Sequence, residues 1–362
     1  MLLMSIDWSF IIEKLILISV ILGASLGVAT YATWGERKVA AWMQDRKGPS
    51  RAGPFGLLQP IADGIKLFFK EEIIPNDANR FLFILGPSLA MLTACMASAV
   101  VPWGPSIELE SGRVIALQVA DINIGILYVF GVVSVGVYGI MLGGWASNNK
   151  YSLMGSVRAA SQAISYELAM GISLIALLMM TGTLSLAEIV NQQHGFWENG
   201  WFTWNVAKQP LGFIIFLVCA FAELNRAPFD LPEAESELVA GYHTEYSSMK
   251  LGFYLFAEYA NMFVSSTILA VLFFGGYNYP GMSWAVENWG VNIANVLGIV
   301  ALFIKICGFI FFYMWVRWTI PRFRYDQLMH LGWRILIPLS IVNIMITGIV
   351  ILRHEIIAYL GF

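Results

Sequence analysis

An all-α integral membrane protein with about eight transmembrane helices is the fold this 362-residue sequence predicts. Three observations carry that prediction. Hydrophobic residues make up 58% of the chain and charged residues 12%, against roughly 45–50% and 25% in an average soluble domain. Core burial alone cannot hide that much apolar surface, so the bilayer must solvate most of it. Apolar runs near the roughly 20 residues that a membrane helix needs recur eight times. Sixteen of the 21 lysines and arginines fall in alternate connections, the asymmetry expected of a multi-pass chain.

The first run, Ile11 to Trp34, comes after Asp7 and carries Glu13-Lys14 at its start, without a basic leader or a small-residue cleavage site. It reads as a membrane helix and not as a removed signal. Phe81 to Trp103, Ile122 to Trp145 and Ala159 to Leu184 give the second to fourth helices, and Leu251 to Phe274, Val291 to Trp315 and Trp333 to Leu352 the sixth to eighth. The fifth run, Pro210 to Leu224, is short, so its helix must begin near Trp204 or continue past Glu223. An even number of spans puts both termini on one side. The basic connections, about 35–80, 146–158, 225–250 and 316–332, become structured inner loops, leaving the termini on the outer, periplasmic side of a bacterial inner membrane. Trp197, Trp201, Trp204, Trp284 and Trp289 fall in the outer loops, as an interfacial belt requires; those loops otherwise look like plain connectors. With no internal repeat, residues 1–362 read as a single polytopic membrane domain.

Composition excludes several chemistries. His194, His243, His330 and His354 fall in loops or at helix ends, not on facing helices where a haem would need them. Cys95, Cys219 and Cys307 lie singly in apolar runs, without metal or disulfide spacing. Dinucleotide and triphosphate glycine motifs are lacking, and a net charge of −3 offers nothing to nucleic acid. No metal site is expected.

Three features remain. Glu167, Glu258 and Lys305 lie inside predicted helices, and Glu223 at the end of one. Burying an ionisable group in a membrane costs at least about 2.5–3.5 kcal/mol, so such groups face polar cavities or each other. Either they pair internally and fix packing, or they form a water-linked chain of proton carriers, since a desolvated carboxylate titrates nearer neutrality. The loop from Glu223 to Tyr246 holds Glu223, Asp230, Glu233, Glu235, Glu237 and Glu245 against the single cation Arg226. Pro228 and Pro232 break any helix there, so the segment should fold into the protein as a coupled acidic cluster. Finally, the stretch from Gly56 to Glu71 is amphipathic, with Gln59, Asp63, Lys66 and Lys70 on one face and Leu58, Ile61, Ile65 and Phe68 on another. It should lie in the interface, as an anchor or as the doorway for a lipid-soluble ligand whose polar head meets Arg37.

At these residues the chain resembles the NuoH family, the membrane subunit of respiratory NADH:quinone oxidoreductase (complex I). The matching stretches are GERKVAAWMQDRKGP, GLLQPIADGIKLFFKE, ADINIG, NNKYSLMGSVRAASQAISYE and AELNRAPFDLPEAESELVAGYHTEYSSMK, in family order and across nearly the whole chain. The resemblance implies a quinone chamber shared with peripheral-arm subunits, quinone as substrate, and FMN and iron–sulfur clusters in partner subunits with none bound by this chain. It also implies membrane-arm partners, antiporter-like and small subunits. Glu36, Arg37, Asp63, Lys66, Arg226 and Phe229 match the quinone passage. Glu167, Glu223, Glu233, Glu235, Glu237, Glu245 and Glu258 match an acidic path that couples quinone reduction to proton translocation. Some relatives carry one more carboxylate in the third helix, where this chain has only Asp121 at the edge. Three other readings stand beside this one: the related subunit of a membrane-bound hydrogenase, a stand-alone proton-coupled transporter, and a passive anchor.

Overall fold

The computed structural model describes residues 8–108, 114–195, 203–233 and 235–360, with the side chains of 108, 235, 236 and 354–360 left undescribed. Seven helices are long and apolar enough to cross a membrane: α1 (Trp8–Met43), α3 (Arg80–Ala97), α4 (Gly125–Ala146), α5 (Lys150–Thr181), α8 (Ser248–Phe273), α10 (Val291–Thr319) and the run through α11 (Tyr325–His330) into α12 (Ile337–Leu360). The shorter α7 (Pro210–Glu223) is the eighth apolar segment. Among the described residues, helices between the spans include α2 (Gln59–Phe68), α6 (Leu186–Asn191) and α9 (Met282–Trp289), besides two four-residue helices, Asn205–Lys208 and Glu235–Leu238. Two short strands, Ile107–Glu108 and Val114–Ile115, pair antiparallel.

The centre of the bundle is α8. Of its most apolar window 67% is buried, against 11% for α1, so α8 is a core helix and α1 a peripheral one. It packs on α1, α3 and α10, while α5 lies among α4, α7 and α12. Glycine makes the closest contact possible: a methyl at Gly143 of α4 would strike the Tyr254 hydroxyl of α8, which donates to the Gly139 carbonyl at 3.0 Å.

Three features depart from expectation. The first helix does not stop at Trp34 but continues through the charged Glu36-Arg37-Lys38 to Met43. Gly35 is carried inside the helix and no proline occurs before Pro49, and the added turns bury Glu36, Val39, Ala40 and Ala41. The fifth span extends in neither direction. Gln209 leaves helical geometry at φ −132° ahead of Pro210, and Asn225 turns back at φ 52°. Fourteen residues rise only about 21 Å, short of the roughly 30 Å hydrocarbon core, so the acidic loop begins within the depth of the bundle. Non-helical backbone there must be satisfied by protein, and Gln162 of α5 does this, donating to the carbonyls of Ala222 and Phe229 at 2.8 Å each.

The connections expected on the outer face, thirdly, are not plain connectors. Buried Gln193 donates to the carbonyls of Ile189 and Val271 and accepts from the amides of Asn205 and Gly275, at 3.0–3.2 Å. Trp284 and Trp289 are exposed on α9, as a belt requires, whereas Trp204 stacks near Lys305; Trp197 and Trp201 lie outside the described residues. Lys305 spends all three ammonium protons on the carbonyls of Phe274, Gly276 and Asn278, at 2.5–2.7 Å, with the Trp204 ring 4.9 Å away. It ties α10 to the frayed end of α8, where carbonyls lack helical partners and a cation is favoured.

Lys305→Met leaves those carbonyls without their charged donor, a loss on the order of 3 kcal/mol. The thermal unfolding midpoint in detergent should fall, with protease reaching the Gly275 turn before the spans melt; an unchanged midpoint would contradict the capping role.

Candidate functional site: two cavities joined by a buried ion cluster

Arg226 follows the turn at Asn225 and points into the bundle, 3% exposed. Its Nη1 donates to Glu36 Oε2 at 2.7 Å and its Nε to Glu258 Oε1 at 2.6 Å. The Tyr259 ring lies 4.2 Å from the guanidinium carbon, and its hydroxyl donates to Glu36 Oε2 at 2.9 Å. The other oxygen of Glu36 takes Arg317 Nη1 of α10 at 2.7 Å. Two cations thus face two carboxylates from α1, α8, α10 and the loop, which balances the charge. Removing one member of such a buried set costs about 3–5 kcal/mol, because the remaining charge stays desolvated. Beside it, Asp230 is held by Arg322 at 2.6 Å; burial raises its carboxyl above the ordinary range although Arg322 and Arg317 pull it down.

A cavity opens on each side of this cluster. The first, about 370 Å³, lies between the inner ends of α1 and α8 and the helix α2. Glu36, Arg37, Asp63, Leu67, Tyr259 and Trp318 are among its lining residues. Arg37 pairs with Asp63 at 2.7 Å, and Gln59 donates to the same carboxylate at 3.1 Å. Outside it, Leu58, Ile61, Ile65, Phe68 and Phe69 of α2 are exposed. The second cavity, about 90 Å³, lies among α3, α4, α5, α7 and α8. It gathers Glu167, Glu223, Glu233 and Glu258 with Tyr242 and Tyr254. The Ser134 hydroxyl donates to Glu167, while Glu223 Oε2 is buried without a hydrogen-bond partner among the described residues. Glu36 and Tyr259 belong to the first cavity and Glu258 to the second, so Arg226 bridges the walls of both.

Most residues singled out in the sequence meet in these two places, but not all. Arg226 lines neither cavity; it sits between them. Lys66 is exposed on α2 away from the first cavity's lining, and Phe229 is buried against Tyr166 and Phe323, at centroid distances of 5.4 and 5.5 Å. Glu237 is exposed and pairs with Arg158 at 2.6 Å. Glu245 accepts from Asn149 at 2.6 Å, and the side chain of Glu235 lies outside the described residues. Asp121 stands at the outer end of α4, with the Ser185 hydroxyl at 3.4 Å. Sequence reading missed Tyr259, Arg317 and Ser134 as site residues, and named Asp230 only as a member of the acidic loop. Tyr259 had a signal, since it adjoins Glu258 on one helix; nothing local marked Arg317 out among the other inner cations.

Glu233 is the loop carboxyl aimed into the second cavity. Burial, with Glu258 and Asp230 nearby, pushes its pKa up to about 8 against the pull of Arg317 and Arg226. It therefore holds a proton near neutrality that a solvated glutamate would release.

A polytopic bundle with one polar cavity opening beside an amphipathic helix, and a second walled by four glutamates, defines the class: a multi-pass membrane protein with a buried ion cluster set between two cavities. A family model described as NADH dehydrogenase matches residues 15–348. The chain is 69% identical over 354 residues to the H subunit of NADH-quinone oxidoreductase from Flavobacterium johnsoniae, covering 98% of this chain and 99% of the relative. It is 70% identical over 349 residues to the protein of that name in Flavobacterium psychrophilum, covering 96% and 100%. Identity is 62% over 351 residues to the first H subunit of the same enzyme in Cytophaga hutchinsonii, covering 96% and 99%. The chain belongs to this NADH dehydrogenase family, as an H subunit of the NADH-quinone oxidoreductases.

The raised Glu233 pKa makes the loop's order depend on pH. The ordered loop binds a proton that an open loop loses above about pH 4.5, so ordering is strongest below that value and weakens as pH rises through about 8. Hydrogen exchange of peptides from 225–247, corrected for the intrinsic rate, should show protection falling between about pH 4.5 and about pH 8 and levelling off above that. In Glu233→Gln the fall should be smaller; an equal fall would place the pH dependence elsewhere.

Proposed function

We propose that the chain is the membrane subunit of a proton-pumping NADH:quinone oxidoreductase, forming the quinone chamber with peripheral-arm partners and coupling quinone reduction to proton translocation. The observation that carries this reading is Arg226, held at once by Glu36 on the first cavity and Glu258 on the second. In this reading the quinone enters over the apolar face of α2, and its head group meets Arg37, Asp63 and Glu36. Lys66 and Phe229, off the cavity lining, attract the head group and hold the loop in place. Electrons arrive from iron–sulfur clusters and FMN in partner subunits.

Reducing a quinone to the quinol takes two electrons and two protons. Negative charge gathers on the head group before the protons arrive, and it competes with Glu36 for the cations beside it. A carboxylate whose counter-cation is drawn away binds a proton more tightly. Charge at the first cavity thereby alters proton binding at Glu258 and, through the shared cavity, at Glu167, Glu223 and Glu233. In this reading the loop residues Glu235, Glu237 and Glu245 serve the inner approach to the path. Each proton moved against a membrane potential costs about 2.3 kcal/mol per 100 mV, so the coupling must deliver at least that much. The basic connections face the cytoplasm and both termini the periplasm of a bacterial inner membrane, with antiporter-like and small membrane subunits as neighbours.

Photo-crosslinking with a quinone analogue in the intact complex tests the assignment. Label on peptides around Arg37, Asp63 and Trp318, displaced by excess quinone, is the expected result. Label confined to partner subunits would overturn it.

A further inference from the structure

We propose that His243 passes protons between the aqueous phase on the basic face and the carboxylate cavity, through Glu233. The proposal rests on reading that cavity as the proton path, and its own support is placement. Glu233 lines the cavity, and its Oε1 lies 3.8 Å from Nδ1 of His243. Both side chains reach solvent in part, 19% exposed for His243 and 21% for Glu233. The backbone fixes this pairing. Gly241 takes φ 60°, and a methyl there would strike the Pro232 carbonyl, so only glycine lets the turn Gly241–His243 press against Pro232-Glu233. Tyr242 then lines the cavity with its ring edge-on to the imidazole, centroids 5.1 Å apart. The phenol forms part of the wall; the imidazole stands beside Glu233 at the solvent edge.

Facing Glu233 are Glu258 of α8, Asp230 and Arg226 of the same loop, and Arg317 of α10. The turn packs on α5 and α4. From α5 come Lys150, Arg158, which is held by Glu237, and Glu167; α4 carries no charged residue. Asp230 is engaged by Arg322, and burial drives the Tyr242 phenol far above the range in which it could exchange protons near neutrality. Imidazole is the side chain whose ordinary titration falls there. The step balances simply. The ring accepts a proton from water, and its Nδ1–H gives one to a Glu233 carboxylate oxygen, after a small approach or through one bridging water. The ring is left neutral with its proton on Nε2, and it turns over or exchanges that proton through water to restore Nδ1–H before the next transfer.

The test uses the intact complex in liposomes, following quinone reduction and proton pumping across pH. His243→Gln, with His243→Asn as a second variant, should slow coupled quinone reduction on the order of tenfold at alkaline pH. At acidic pH, where water delivers protons to Glu233 directly, the deficit should shrink to about twofold or less. Added imidazole should restore the rate of His243→Ala, which a structural role would not allow. A pH profile parallel to the parent's, or no response to imidazole, would overturn the proposal. Glu258→Gln separates the two levels. If it stops pumping while the His243 variants behave as the parent, the cavity remains the path and His243 is not its donor; if it pumps normally, the path itself is refuted and the proposal with it.

Discussion

The buried guanidinium of Arg226 is the interaction on which the rest of this structure depends. A full charge 3% exposed inside a membrane protein is tolerable only with carboxylates within hydrogen-bonding distance. Glu36 and Glu258 supply them from two helices, and Arg317 from a third answers the surplus charge on Glu36. The inner end of α1, the acidic loop, α8 and α10 are therefore held together by charge matching and not by apolar packing alone. The short α7 belongs to the same constraint, since only a helix that stops early delivers Arg226 to this depth.

The two cavities differ in chemistry, and the difference follows from what surrounds them. Around the first, a paired arginine and aspartate stand beside an interfacial helix whose apolar face is uncovered, so an amphiphile could leave the bilayer tail-last and keep its head on polar groups. Around the second, Glu167, Glu223, Glu233 and Glu258 line about 90 Å³ among tightly packed helices, and the proposed coupling uses that shared space to pass a change of charge from one carboxyl to the next. Lys305, by contrast, is an intramembrane charge with all its donors committed to backbone carbonyls, and its work is structural.

Much of this was legible in the sequence because membrane physics simplifies reading. Length and hydropathy located seven long spans and the short fifth segment, and the scarcity of intramembrane charge singled out Glu167, Glu258 and Lys305. Boundaries failed where charge was paired. Glu36 and Arg37 looked like the start of a loop because their partners, Arg226 and Asp63, lie 190 and 26 residues away; once paired, they sit comfortably in a helix. The acidic loop was recognised as a cluster, but its members separate by direction: Glu233 turns inward, whereas Glu237 meets Arg158 at the surface. The same limit applied to Arg226, which the family resemblance placed beside a ligand and the fold placed between two cavities. Gln193 and Lys305, which give the outer loops their structure, act through backbone groups that no residue pattern reveals.

The measurement that tests the central claim most directly is the infrared difference spectrum on quinone reduction in the intact complex, compared among the parent, Glu258→Gln and Glu36→Gln. If Arg226 joins the two cavities, the carboxyl band that disappears in Glu258→Gln must also shift or weaken in Glu36→Gln, because both acids share one cation. A Glu258 band unaltered by the loss of Glu36 would show that the cavities respond independently, and the coupling account would fail.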